Sequence, residues 1–342
     1  MTVALGLLLL APSSAPEARV TATRHTFERT VYLMGTRATL AVQTTDRVAA
    51  LRQLDRMVRS LERTEVELST WRTDSVLSAI NRQPVGKAFQ LPPQVCALWV
   101  ELTAWHWDTG GAFDPAIGSL IATWGLRAGG RHPSTADLAA AVATSGLAHA
   151  QLDAACRVTR AVAVTLDAGA FGKGEALRRL AGARPSGTAD WMVDLGGQIA
   201  VSGASHAAAW PVAIADPAHR AEPVFDLTLR SGSLATSGVS ERPFAVSGGR
   251  VAHIIDPRTG RPLHRPESVT VWHADALVAD ILSTALYVMG PDEGLRYADA
   301  HRLAALFLAP ASGPGDTAPS LRASLAFRQR FPDDPRTAQE EG

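Results

Sequence analysis

The chain has 342 residues, of which 46% are hydrophobic and 19% charged, and its 33 Lys and Arg are balanced by 33 Asp and Glu. A chain of this length holds one large or two medium domains and can bury a large core, and its apolar content excludes a disordered or fibrous protein. A net charge of zero gives no support to nucleic acid or an anionic membrane as the main partner, since either selects a basic face.

In chain order, the first segment is MTVALGLLLLAPSSAPEARV. Its apolar run, followed by small residues and prolines, has the character of a signal-peptide core and cleavage region, although no Lys or Arg precedes the run. We therefore set 1–18 apart as a signal-like segment and expect an exported protein of the periplasm or cell envelope. No cysteine follows the run, so no lipid anchor is expected, and the run is too short for an integral membrane span, which takes about 20 apolar residues.

Residues 18–45 alternate polar and β-branched side chains, which predicts two strands joined at Met34 and Gly35. Leu51, Leu54, Val58 and Leu61 then form a helical stripe over 46–68, with Asp46 placed as its cap. Further helices are expected at 75–82, 93–107, 115–124 and 134–147, and a hairpin over 150–166. The stretch LDAGAFGKGEALRRLA at 166–181 reads as a strand that turns through glycines into a helix. Strands are expected at 190–195, 198–203, 210–215, 224–231, 251–255 and 268–273, then a helix at 278–290 and a strand near 303–309. The segment 309–320 is loop-like and the tail 332–342 is expected to be disordered. Helices cluster early and strands late, which is the pattern of an α+β fold and not of βαβ repetition.

The two cysteines, Cys96 and Cys156, form no CxxC pair, so neither a zinc site nor a thioredoxin-like motif is present. The expected state is two buried free thiols, with one disulfide left open for an exported protein.

Three stretches carry chemistry. In VADILSTALYVMG (278–290), Asp280 and Thr284 are one turn apart on an otherwise apolar helix, with Ser283 beside them. A carboxylate and hydroxyls are hard ligands suited to Mg²⁺ or Ca²⁺. The competing reading has Thr284 bonding back to the carbonyl of residue 280 while Asp280 meets an arginine. In the loop at 166–181, Gly169, Gly172 and Gly174 surround Lys173. Glycines at a helix start let backbone N–H groups approach a phosphate, although the spacing is not that of a P-loop; a tight turn with a surface lysine is the alternative. In HIIDPRTGRPL (253–263), His253 is either a general base or phosphate contact, or a structural histidine.

Taken in order, MGT at 34–36, STWRTDSVLSAIN at 69–81, GAFDPAIGSLIATWG at 111–125, LDAGAFGKGEA, VDLGGQIAVSG at 193–203, ATSGVSERPF at 235–244, HIIDPRTG and VADILSTALYVMG resemble the FAD:protein FMN transferase family, also called ApbE. The resemblance runs from Met34 to Met289 and implies a T-fold-like flavin-transferase fold, mostly antiparallel sheets packed with helices, over 19–331. It implies an enzyme that binds FAD, uses Mg²⁺, and joins FMN through a phosphodiester bond to a threonine hydroxyl of a target protein, releasing AMP. By the same resemblance, Asp280 and Thr284, with Ser283 and the carbonyl of Ala170, match the metal site. Met34, Trp71, Ala112, Phe113, Asp114, Asp167, Lys173 and Ile254 match contacts to the flavin dinucleotide, and His253 is a candidate to take the threonine proton. The chain departs from the family pattern at Trp71, where Tyr is more usual, in the DAGAFGKG loop, and at Asp194, where Asn is frequent. Two alternatives stay open: an FAD pyrophosphatase of the same fold, and a non-catalytic flavin-binding or delivery protein, which would not need the metal pair.

Overall fold

The computed structural model describes residues 23–183, 189–202, 209–219, 221–238, 244–246, 249–311 and 319–332, with backbone only at 244–246 and 249–251. The signal-like segment, the tail from 333 and most of the 309–320 loop lie outside the described residues.

The first half of the chain runs β1 (His25–Leu33), β2 (Thr36–Thr44), α1 (Arg47–Leu68), α2 (Val76–Arg82), β3 (Ala88–Gln90), α3 (Pro93–Asp108), α4 (Gly118–Thr123), α5 (Thr135–Ala143), β4 (Ala150–Leu152), β5 (Arg157–Arg160) and α6 (Gly172–Gly182). The second half runs β6 (Asp190–Leu195), β7 (Gln198–Ser202), β8 (Trp210–Ala215), β9 (Pro223–Leu229), β10 (Gly232–Gly238), β11 (Phe244–Val246), β12 (Gly249–Val251), β13 (Ile255–Asp256), β14 (Arg261–Pro262), β15 (Ser268–His273), α7 (Ala276–Met289), α8 (Pro291–Ala300), β16 (Ala304–Ala309), β17 (Ser320–Ala323) and α9 (Leu325–Arg330). This is the α+β arrangement expected from the clustering of helices and strands.

The main sheet has eight strands among the described residues, in the order β1-β2-β6-β7-β10-β15-β16-β17, and every neighbouring pair is antiparallel. On one face, α1 and α6 pack Leu54, Leu61 and Leu177 against Leu40, Val42 and Val193 of β2 and β6. On the other face, Trp210, Val212, Phe225 and Leu227 of the β8–β9 hairpin and Phe327 of α9 cover Val201, Leu234, Leu306 and Leu308. A third core joins α2 and α3 to α7 through Ile80, Trp99, Leu102, Ile281, Leu282 and Leu286. Each fully buried Leu or Ile contributes about 1.5–3 kcal/mol.

Local signals place the helices. Asp46 Oδ1 accepts from Val48 N and Ala49 N to cap α1, Ser75 caps α2 through Ser78 N, and Asp275 caps α7 through Leu277 N. Such caps satisfy donors that have no partner within the helix. Among the described residues no helix is long and apolar enough to cross a membrane.

Three expectations are corrected. The hairpin at 150–166 is only β4 and β5, and residues 161–171 run without strand pairing into α6. The segment 232–238 was not expected as a strand, yet β10 sits in the middle of the main sheet. On the face under α7 its residues are small because that helix lies directly on it: Ser237 Oγ is 2.9 Å from Ser283 Oγ of α7, while Leu234 faces the β8–β9 hairpin on the other side. At its end, a Cβ on Gly238 would lie 3.0 Å from Ser268 Cβ. Lastly, Cys96 and Cys156 are joined as a disulfide across a Cα separation of 5.7 Å, and are not free thiols. The cause is tertiary: Leu91 N donates to Cys156 O, which docks the β4–β5 turn against the start of α3. Closing this 60-residue separation stabilises the fold by about 4 kcal/mol on the chain-entropy view.

Candidate functional site

Where the β1–β2 turn, the loop after α1, the start of α6, β10, the β13 approach and α7 converge, they enclose a cavity of about 340 Å³. Every residue of α7 except Thr284 is buried, as expected of a helix apolar on all sides. A buried carboxylate on such a helix requires partners. Asp280, 3% exposed, has them: Gly174 N donates to its Oδ2 at 2.8 Å, and Lys173 Nζ lies 3.4 Å from its Oδ1. Asp280 thus meets a lysine, not an arginine. The back-bond to its carbonyl at 3.0 Å comes from Ser283 Oγ, not from Thr284. Thr284 faces the cavity, its hydroxyl 3.5 Å from Ser237 Oγ.

The contact between α6 and α7 depends on Gly174. A Cβ there would lie 2.5 Å from the Ala276 carbonyl oxygen and 2.6 Å from Asp280 Cβ, so no larger residue fits without moving a helix. That close approach lets a backbone N–H at the start of α6 reach Asp280. Before it, Asp167, Ala168, Gly169, Ala170, Gly172 and Lys173 line one wall of the cavity.

At the mouth, Arg127 binds Asp167 Oδ2 and Thr70 Oγ1, donates to Thr70 O at 3.1 Å, and sets its guanidinium 4.9 Å above the ring of Trp71. Trp71 is 71% exposed. Opposite it, Met34 adopts a left-handed turn conformation (φ 53°) held by Glu65 Oε1, which accepts from Met34 N.

Asp114 reaches the cavity from the loop after α3. Its Oδ1 accepts from Ala116 N and its Oδ2 from Leu147 N, with His106 Nδ1 3.3 Å away. Burial raises its carboxyl above the ordinary range, against the hydrogen bonds and the His106 charge that pull it down.

Of the residues singled out from the sequence, Met34, Trp71, Asp114, Asp167, Ala170, Lys173, His253, Ile254, Asp280 and Thr284 line this one cavity. Three are placed differently. Ala112 and Phe113 are buried in the α2–α3–α7 core and do not line the cavity, because the loop must anchor itself there to present Asp114. The Ser283 hydroxyl is turned away to Ser237 Oγ and the Asp280 carbonyl, so it belongs to the α7–β10 contact. Reading the sequence did not single out Thr36, Gly196, Thr236 or Ser237 on the wall, nor Arg127 at the mouth. Thr36, Gly196, Thr236 and Ser237 lie within MGT, VDLGGQIAVSG and ATSGVSERPF, stretches that carried the resemblance, but no role was attached to them there.

Asp280 and Thr284 offer the cavity a carboxylate and a hydroxyl, and Ala170 lies on the same lining. Among the described residues no three His, Cys, Asp or Glu gather as a metal cluster. The other two carboxylates on the cavity wall are engaged, Asp167 by Arg127 and Thr70, and Asp114 by Ala116 N and Leu147 N. A cation beside Thr284 would therefore rest on Asp280 with neutral oxygens, a set that suits Mg²⁺, which binds through one or two carboxylates together with substrate phosphate and water.

A family model described as the ApbE family matches residues 34–307. FAD:protein FMN transferase of Vibrio cholerae is 31% identical over 258 residues, covering 73% of this chain and 77% of that protein. Among solved structures, the flavinyl transferase ApbE of Pseudomonas stutzeri in its apo form aligns with a TM-score of 0.77 at 29% identity, over 91% of this chain and 98% of that one. The ApbE protein of Thermotoga maritima aligns with a TM-score of 0.81 at 27% identity, over 91% of this chain and all of that one.

Proposed function

The chain belongs to the ApbE family, and on that premise we propose that it is an FAD:protein FMN transferase. It binds FAD in the 340 Å³ cavity and transfers FMN to a threonine hydroxyl of a target protein, releasing AMP. The observation that carries this reading is the convergence of Asp280, Thr284, Lys173 and the glycine-rich start of α6 on one wall. The positive end of α6 and the Lys173 ammonium on the same wall favour a pyrophosphate there. The exposed Trp71 ring offers a stacking face, and Arg127 holds that ring in position.

Asp280 and Thr284, with the Ala170 carbonyl, are the residues that would hold Mg²⁺, which when bound neutralises charge on the pyrophosphate and the leaving phosphate. In the reaction the threonine oxygen bonds to the FMN phosphorus, the bond from that phosphorus to the oxygen bridging to AMP breaks, and AMP leaves with the electron pair. The threonine proton remains to be taken, and the His253 imidazole on the cavity wall is the group we assign to it. Asp280 keeps Lys173 and Gly174 N in place, which holds the start of α6 against α7.

We further propose that the protein works in an oxidising compartment outside the cytoplasm, as the Cys96–Cys156 disulfide and the signal-like segment support. N-terminal sequencing of the protein from cell fractions tests this: a cytosolic protein with an intact Met1 would refute it.

The activity is tested by incubating the protein with FAD, Mg²⁺ and a threonine-bearing target fragment. Equal yields of AMP and of fragment carrying FMN are expected. Free FMN with unmodified fragment would instead make the protein an FAD pyrophosphatase, and FAD binding without AMP release would make it a flavin carrier.

A further inference from the structure

The pairing of β10 with β7 stops at Leu234↔Ile199, whereas its pairing with β15 continues to Gly238↔Ser268. Among the described residues, then, 235–238 of β10 have a strand neighbour on one side only. The reason is the β6–β7 hairpin, which turns at Gly196 and Gly197, so β10 runs on past its end. An unpaired strand edge presents alternate N–H and C=O groups that an added strand can satisfy.

This edge lies between two spaces. Thr236 and Ser237 line the FAD cavity, while Thr236 and Gly238 line a groove of about 680 Å³ that continues outward past Thr36, Asp194, Ala213 and Ala221. Thr36, Gly196 and Thr236 belong to both, so cavity and groove are continuous. The alternation along the strand matches: Ser237 faces α7, where Asp280 and Thr284 lie, and Leu234 faces the β8–β9 hairpin.

We propose that the open edge of β10 at 235–238 is the docking site of the target protein, which binds in extended form as an added strand. The inference rests on the transferase reading, since it names where that reading's protein substrate sits. A strand on this edge presents successive side chains to opposite faces. The accepting threonine points to the Ser237 side and so into the cavity beside Thr284, while its two neighbours point into the groove. Main-chain hydrogen bonds supply the affinity and the groove supplies the selection, as in other recognition by strand addition. Gly238 and Ala213 leave the groove room for those flanking side chains.

The test uses peptides synthesised to match the FMN-bearing segment that mass spectrometry identifies in flavinylated proteins of the same cells, each N-methylated at one backbone position. Transfer efficiency should fall about tenfold at every second position near the threonine, where a main-chain hydrogen bond is lost, and stay unchanged at the positions between. In parallel, Ala213→Trp should fill the groove and raise KM for the unmodified peptide at least tenfold, with the FAD dissociation constant and melting temperature unchanged. Efficient transfer by the wild-type protein with no two-residue period, together with a normal KM for Ala213→Trp, would overturn the docking site and leave the transferase standing. Wild-type protein that modifies no peptide would overturn the transferase reading and this inference with it.

Discussion

Where α6 meets α7, the cavity wall is built by contact so close that Gly174 has no room for a Cβ, and Asp280 is satisfied by a backbone N–H and a lysine out of solvent. At the mouth, Trp71 stands in solvent and is held by one guanidinium that also binds Asp167 and Thr70. The first wall is inseparable from the core of the fold. The second is an attachment whose groups are wet and individually weak. A change at the inner wall should therefore move chemistry and stability together or chemistry steeply, whereas a change at the mouth should move ligand affinity alone.

The largest effect is expected for Asp280→Asn. The amide keeps an oxygen for Gly174 N but removes the charge offered to a cation, so AMP release from FAD should fall on the order of a hundredfold or more, about 3 kcal/mol of transition-state stabilisation. Melting should change little, because the Lys173 side chain is 26% exposed and keeps its charge in contact with solvent, while the amide removes the desolvation of a buried carboxylate. Turnover like that of the wild-type protein across a Mg²⁺ titration would show that the inner wall is structural only.

Next comes Gly174→Ala, which presses a methyl group against α7 and should destabilise the protein by about 1–3 kcal/mol in urea unfolding. The comparison sharpens with Gly169→Ala, where the added Cβ meets no backbone but only Asp167 Oδ1 at 2.8 Å, whose displacement would give up its hydrogen bond from Gly169 N. That variant should lose about 1 kcal/mol or less, the net value of one hydrogen bond. Equal losses at the two glycines would erase the distinction between the regions.

Trp71→Ala should weaken FAD binding about tenfold in calorimetric titration, the lower end of what one aromatic stacking partner contributes. Its melting temperature should match the wild type, since the ring is exposed. A variant that binds FAD normally would remove Trp71 from the site.

The subtlest prediction concerns Asp114, between the two regions. Burial raises its carboxyl, so the folded protein holds a proton that the unfolded chain has released. By linkage, this group makes the wild-type protein less stable as pH rises through the raised value. Asp114→Asn lacks the titration. Whatever its constant offset, the variant's stability relative to wild type should be flat below the ordinary carboxylate range, climb as pH rises from that range to the raised value, and then level off. A flat or falling difference would mean that burial does not govern this carboxyl.

Much of this was legible in the chain. The Asp46 cap of α1, the turn at Met34 and Gly35, and the Gly196–Gly197 hairpin are local signals, and the structure has each where the residues imply. Of the α1 stripe, Leu54 and Leu61 are buried but Leu51 is exposed, because the face packed on the sheet runs through Ala50, Leu54, Met57 and Leu61. The polar pair on α7 was visible because Asp280 and Thr284 interrupt an otherwise apolar run. What could not be read was anything whose cause lies in another part of the chain. GSLATSG carries neither β-branched nor aromatic enrichment, so β10 has no strand signature of its own. It is a strand because β7 and β15 flank it, and its residues on one face are small because α7 lies on it. Arg127 was passed over for the same reason: its partners Thr70, Trp71 and Asp167 are distant in sequence and come together only in the fold.

By itself, then, the sequence determined the helix stripes, the caps, the glycine turns and the residue types able to meet a flavin dinucleotide, because these depend on chemistry within a few residues. Only the tertiary structure decided that Cys96 and Cys156 pair, that Ser283 turns from the cavity while Thr284 faces it, that Ala112 and Phe113 anchor the loop and leave Asp114 to reach the wall, and that, among the described residues, 235–238 of β10 pair on one side only beside the cavity. Each of those depends on which surface packs against which, and a helical or strand period specifies a face without specifying its neighbour.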